Sequence, residues 1–238
     1  MILAVAAIFF SGCAKEPLAL FSVDNDVVYV GDEVAFTNAS VDADTYYWDF
    51  GDGKSSTKFS PKHTYETAGT YTVYLHANTK KDASVASLTI TVKKHNEFVV
   101  ENVHYPITEF KVIRDNSTNG GNNYYLYFYN KNELVYNSTS EWFTGRGSML
   151  EVDIYANSLE SGTYRYNEEV TPILGTASWI EAYTDYNFDI DDGLSRFADS
   201  GSVVVIRNGD NYIFEIEFTN ASGITVTGYV ECKITAAV

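Results

Sequence analysis

Tyr125, Tyr127 and Tyr129 alternate with Tyr124, Leu126 and Phe128 along one stretch of this 238-residue chain. Trp179, Glu181 and Tyr183 alternate with Ile180 and Ala182 along another. Successive side chains of an extended strand point to opposite faces, so each set of alternating residues shares one face. Flat rings stack on the C–H faces of sugars, and carboxylates accept hydrogen bonds from hydroxyls. Rings bordered by acids therefore have the chemistry of a carbohydrate site. If a second layer covers them, the same rings are packing instead. The residues alone leave both readings open. Trp142-Phe143, beside Gly145-Arg146-Gly147, is in the same way either a loop-tip contact or the plug of a hairpin.

A second cluster is acidic: Asp185-Tyr186-Asn187-Phe188-Asp189-Ile190-Asp191-Asp192-Gly193. Counted from Asn187, the oxygens of Asn187, Asp189 and Asp191 fall at the first, third and fifth positions of a calcium loop. Gly193 then falls one place late, and Ala198 stands where the bidentate Glu is required. An EF-hand is excluded, which leaves an irregular Ca²⁺ loop or a solvated turn. His104 is the only histidine after residue 97, so no His-rich metal site can be built there. The two cysteines, Cys13 and Cys232, exclude a disulfide scaffold and a thiolate zinc cluster. Cys232 shares a strand face with Ile224, Val226, Gly228, Val230 and Ile234, which makes it an inert, buried thiol. G-x-S-x-G, H-E-x-x-H and Gly-rich phosphate loops are all missing, and no cofactor is expected. A glycosidase needs only two carboxylates, so a hydrolase remains the alternative to a binding protein.

The elements that must position these residues are strands. Leu150, Val152 and Ile154 face away from Glu151, Asp153 and Tyr155, and Phe214, Ile216 and Phe218 face away from Glu215 and Glu217. Asn208-Gly209-Asp210-Asn211 and Asn220-Ala221-Ser222-Gly223 read as hairpin turns. No segment has a sustained helical period. Residues 97–238 are therefore expected to form an acidic antiparallel β-domain, either a barrel or a two-sheet sandwich. The first half alternates too: Val28 and Val30, Val34 and Phe36, Tyr71, Val73 and Leu75, Leu88, Ile90 and Val92. Apolar faces of period two, at this density, predict an antiparallel β-sandwich. The chain as a whole is all-β.

Within that first half stand Trp48-Asp49-Phe50-Gly51-Asp52-Gly53, then His63-Thr64-Tyr65, then Gly69-Thr70-Tyr71-Thr72-Val73. In this order they resemble the PKD domain, an Ig-like sandwich, over residues 17–95. The resemblance implies an extracellular spacer or interaction module without catalysis of its own. Each residue also has a local reason. Trp48 and Phe50 can fill a core, and the glycines suit a tight turn. Turn chemistry accounts for Asp49 and Asp52 more simply than a carboxylate site does. His63 has no second His or Cys near it and reads as framework.

Residues Met1 to Phe10 are wholly apolar and are followed by Ser11-Gly12-Cys13. Ten residues of helix span ~15 Å, half of a ~30 Å hydrocarbon core, so this is not a membrane span. It reads as the hydrophobic region of a signal peptide. Phe10-Ser11-Gly12-Cys13 resembles a bacterial lipobox, which implies a leader over 1–13 and a lipidated Cys13.

The net charge is −16, from 16 Lys and Arg against 32 Asp and Glu. That argues against nucleic acid and against docking on anionic lipid through basic patches. The acidity is concentrated after residue 97, where 8 basic residues face 21 acidic ones. Together these features predict a non-enzymatic, lipid-anchored protein of the bacterial envelope, in the outer membrane or periplasm. The PKD module is its spacer, and the second domain binds a glycan or a cell-surface protein. A purely structural envelope lipoprotein is the third reading.

Overall fold

The computed structural model describes residues 2–4, 16–116, 120–168 and 173–235. Cys13 lies outside the described residues. Two compact units divide the chain, Met1–Lys94 and His95–Val238. Among the described residues there is no helix.

The first unit contains β1 (Ile2–Ala4), β2 (Phe21–Val23), β3 (Val27–Tyr29), β4 (Glu33–Asn38), β5 (Thr45–Asp49), β6 (Ser55–Ser56), β7 (Lys62–Thr64), β8 (Gly69–Asn78) and β9 (Ala83–Lys93). They form two sheets, β1-β2-β4-β7 and β3-β9-β8-β5-β6. The alternating apolar residues supply the core: Val34 and Phe36 from β4, Val73 and Leu75 from β8, Ile90 and Val92 from β9. One pairing departs from the antiparallel expectation. β3 runs parallel to β9, with Val28 opposite Val92.

Trp48 is fully buried. Its ring meets Phe21 edge-on at 5.1 Å, and its indole N–H donates to the Lys58 carbonyl at 2.9 Å. Asp49 accepts from the Gly51 N–H, and Asp52 accepts from the Lys54 N–H. Gly51 has φ +81°, and a Cβ there would sit 2.7 Å from the Thr72 carbonyl oxygen, so only glycine fits. His63 stacks flat on Phe50 at 4.0 Å, and its Nε2 meets Asp52 Oδ2 at 2.8 Å. The Tyr65 hydroxyl donates to the Phe50 carbonyl and that of Tyr71 to the Thr67 carbonyl. The carboxylates of this motif are occupied in holding its turns.

The second unit contains β10 (Glu97–Val100), β11 (Val103–Pro106), β12 (Glu109–Asn116), β13 (Asn122–Tyr129), β14 (Leu134–Asn137), β15 (Trp142–Ala156), β16 (Gly162–Arg165), β17 (Thr176–Asn187), β18 (Asp192–Phe197), β19 (Ser200–Asn208), β20 (Asn211–Thr219) and β21 (Thr225–Lys233). Sheet one runs β11-β10-β21-β20-β19-β16, and sheet two runs β12-β13-β15-β17-β18. Their facing sides close one apolar core. Tyr124, Leu126, Phe128, Leu150, Val152 and Ile154 from sheet two meet Val203, Val205, Phe214, Ile216, Phe218, Val226 and Val230 from sheet one. The unit is a sandwich rather than a barrel. Cys232 is half-buried on the core side of β21, and burial pushes its thiol up to about 12. It is a packing residue at neutral pH.

Candidate functional site

The side of sheet two that faces away from this core carries the tyrosines and acids. Strand register sets them in rows. In one row Tyr125 lies opposite Asp153, and Asp153 opposite Trp179. In the next, Tyr127 lies opposite Glu151, Glu151 opposite Glu181, and Glu181 opposite Phe197. In the third, Tyr129, Met149, Tyr183 and Ser195 follow one another. The two alternating sets therefore share one continuous face.

β17 reaches this arrangement through two irregularities. Asp153 and Ile154 are adjacent on β15 but oppose Trp179 and Ala177, so Ser178 is an extra residue on β17. Ala177 and Ile180 both point into the core, which leaves Ser178 and Trp179 together on the outer side. A bulge of this kind sets two consecutive residues on one face, so that Ala177 keeps its place in the core while Trp179 stays in phase with Glu181 and Tyr183. The second lies at Asp185, φ +51°, where the pairing of β17 slips against both neighbours. There Arg146 holds Asp185 with two bonds of 2.7 and 2.8 Å.

The exposed part of the face is small. Trp179 is 39% exposed and Phe197 49%, with their rings edge-to-face at 4.8 Å. Tyr125 is half-buried on the far side of Asp153. Tyr127, Tyr129 and Tyr183 are buried, so for these three the packing reading holds and the open platform does not. What covers them is an arm made of β14 and the first residues of β15, which pair with each other from Leu134–Gly145 to Asn137–Trp142. Leu134 and Phe143 from the arm, with Phe188 from the β17–β18 turn, form a second apolar cluster with Tyr127, Tyr129, Met149 and Tyr183. Phe143 meets Tyr127 at 5.3 Å, Tyr129 at 4.9 Å and Tyr136 at 5.2 Å. It is the plug of the hairpin, while Trp142 beside it remains partly exposed. The arm turns at Gly145, φ +103°, where a Cβ would lie 2.5 Å from the Glu133 carbonyl oxygen.

In the rows alongside this cluster, and beside Trp179, lie three carboxyls: Glu151 at 6% exposure, Glu181 at 1%, and Asp153. The Tyr183 hydroxyl contacts both glutamates, at 2.6 Å to Glu181 and 3.2 Å to Glu151. The Trp179 indole N–H donates to Glu181 at 3.2 Å. Asp153 Oδ1 is buried without a hydrogen-bond partner. Among the described residues no Lys or Arg pairs with any of the three. Burial therefore raises all three above the ordinary carboxylate range. Glu151 rises to about 7, with the neighbouring Glu181 adding to the effect, and Asp153 rises to about 8, with Glu151 adding to it. The same burial raises the Tyr127 and Tyr183 phenols well above their usual value.

The residues considered for a Ca²⁺ loop have other employment. Asn187 Oδ1 accepts from the Asp189 N–H, Asp189 Oδ2 from the Gly145 N–H, and Asp191 from the Tyr186 hydroxyl. They form the tight β17–β18 turn and anchor the arm to it. Among the described residues no group of His, Cys, Asp and Glu is arranged to hold a metal ion. The role of Glu151, Asp153 and Phe197 was not legible from spacing, because each gains its neighbours across strands. A hint was present: Met149 and Tyr155 flank the two acids on their own face, an apolar setting that exposed acids do not need.

Residues 14–93 match the PKD domain family. The chain is 46% identical to a collagenase of Bacillus cereus (strain Q1) over 50 residues, which is 21% of this chain and 5% of that one. It thus spans a small part of that relative's length. A solved PKD1 domain of Vibrio anguillarum Epp is 32% identical, covering 34% of this chain and 96% of its own, at a TM-score of 0.30. A structure described among carbohydrate-binding modules of the β-sandwich superfamily is 17% identical over 92% of both chains, at a TM-score of 0.34. Scores of this size carry no inference about the second unit.

Proposed function

We propose that this chain, whose residues 14–93 are a PKD domain, is a non-enzymatic binding protein of the bacterial envelope, anchored by lipid at Cys13. The PKD module is the spacer, and the outer face of sheet two is a glycan-binding surface. The observation that carries the reading is the row Tyr125, Asp153 and Trp179, with Phe197 of the neighbouring row edge-on against Trp179: partly exposed rings on either side of an acid. Binding is favoured over hydrolysis by the placement of the acids. A glycosidase sets two carboxyls on opposite sides of a scissile bond. Glu151 and Glu181 instead lie side by side on one face, buried, and bridged by a single phenol.

A glycan array on the soluble chain from Ala14 onward, followed by titration of the best ligand, tests the surface. One ring contributes about 0.5–1.5 kcal/mol of stacking, so Trp179→Ala is expected to weaken binding about two- to tenfold. Tm should hardly change, because the ring is exposed. Unchanged affinity in Trp179→Ala would remove the platform. The anchor has its own test. Cys13→Ala is expected to move the protein from membranes to the soluble envelope fraction and to abolish labelling by a fatty-acid probe. Equal labelling of both proteins would mean that Cys13 is not the anchor.

A further inference from the structure

Glu151 and Glu181 are direct cross-strand neighbours. Like charges in that position repel, and burial magnifies the effect. The Tyr183 hydroxyl lies within reach of both carboxyls, and a proton on either one relieves the repulsion between them. Asp153, next along the face, adds a third acid whose buried Oδ1 has nothing to accept from.

The groups around them supply no counter-charge. From β12, Lys111 reaches over the Tyr136 ring, 5.0 Å from its centre, rather than to an acid. β13 presents Tyr125, Tyr127 and Tyr129, β17 presents Tyr183, and the arm presents Tyr136; all five phenols are raised above their usual value by burial and stay protonated in mildly alkaline solution. β18 offers Ser195, whose hydroxyl bonds Glu181. Glu133, at the foot of the arm, accepts from the Ser148 N–H and from the Asn130 side chain, and Asp191 accepts from Tyr186. Among the described residues, the three carboxyls are thus left on this face with no opposite charge beside them to hold them ionised.

We propose that Glu151, Glu181 and Asp153 are a proton latch: the β14–β15 arm stays closed while they hold protons and lifts when they lose them. Charged carboxyls must be hydrated. The phenols that bond Glu151 and Glu181, those of Tyr127 and Tyr183, are packed into the cluster that Phe143 closes, so hydrating the acids loosens the seat of the plug. Lifting the arm uncovers Tyr127, Tyr129 and Tyr183 beside Trp179, which enlarges the ring surface from its closed extent. The sign follows from the raised values. The folded state keeps protons that the unfolded chain has released, so closure weakens steadily from about pH 4 and is spent above about pH 8. The gain of binding surface rests on the glycan reading; the movement of the arm does not.

Amide hydrogen exchange on the full chain at about pH 6 and about pH 9, corrected for the intrinsic rate, reads the latch without any ligand. Protection of residues 134–145 is expected to fall at least tenfold at the higher pH, while β20 and β21 keep theirs. In Glu151→Gln/Glu181→Gln the arm should keep most of its protection at both values. Equal protection at the two values in the wild type, or an equal fall in the variant, overturns the proposal. Should the variant not fold, carboxyl ¹³C titration of the wild type decides. Midpoints above pH 6 for two or more side chains support the latch, and titration of every acid below pH 5 overturns it. The platform is judged separately, by Trp179→Ala at a fixed pH.

Discussion

Trp48→Ala is expected to cost the first unit about 3–5 kcal/mol, the usual price of truncating a buried aromatic. The ring has no exposed surface and packs on Phe21 and Phe36, with centroids at 5.1 and 5.6 Å. Its loss also leaves the Lys58 carbonyl without the indole N–H that now satisfies it, which adds to the cavity term. A loss of that size approaches the whole stability of a domain of this length. Chemical denaturation should show the midpoint of Met1–Lys94 falling steeply while that of His95–Val238, which has its own core, stays put. A thermally silent Trp48→Ala would mean that the ring does not hold the two sheets together.

Phe143→Ala is the second large effect, and its character differs. The side chain is buried, yet it belongs to the satellite cluster outside the sandwich core. Its removal is expected to withdraw about 3–5 kcal/mol from the closing of the arm. The core between the sheets keeps all its contacts, so the loss should appear as local opening rather than as a lower global transition. Limited proteolysis with chymotrypsin measures it directly. Cleavage within residues 134–145 should accelerate by orders of magnitude, with the remaining strands still resistant. An unchanged cleavage rate would show that the arm is held by its backbone bonds to the β17–β18 turn, such as Phe188 N–H to the Gly145 carbonyl, and not by the plug.

Alternation made much of this molecule legible. Residue parity placed Tyr124, Leu126 and Phe128 in the core, with Tyr125, Tyr127 and Tyr129 behind them, and the structure has them so. The turns at Asn208–Asn211 and Asn220–Gly223 were equally plain. Parity says which side a ring is on, but not what covers that side. The cover over Tyr127 and Tyr129 comes from Leu134 and Phe143, and nothing in the spacing of those residues announces where they dock. The meeting of Glu151 with Glu181 is hidden for the same reason, since thirty positions separate them and only the register of β15 with β17 joins them. The choice of sandwich over barrel likewise depends on how strands close, which local pattern does not encode. The parallel pairing of β3 with β9 escaped because a three-residue strand shows no direction in its composition.

The extra residue at Ser178 gives β17 one position that no residue of β15 answers. Deleting it would restore a regular ladder and leave both halves in phase, with Trp179 still opposite Asp153 and Ala177 still opposite Ile154. Trp179 would keep its outward aim with Glu181 and Tyr183, and Ala177 would stay in the core. A deletion at a regular position of the strand has no such tolerance, because it turns one half of the strand over. Chains of this architecture are therefore expected to differ in length at 178 more readily than at its neighbours, with the same side chains on the same faces. The bulge is slack in the strand, a place where length can vary while phase cannot.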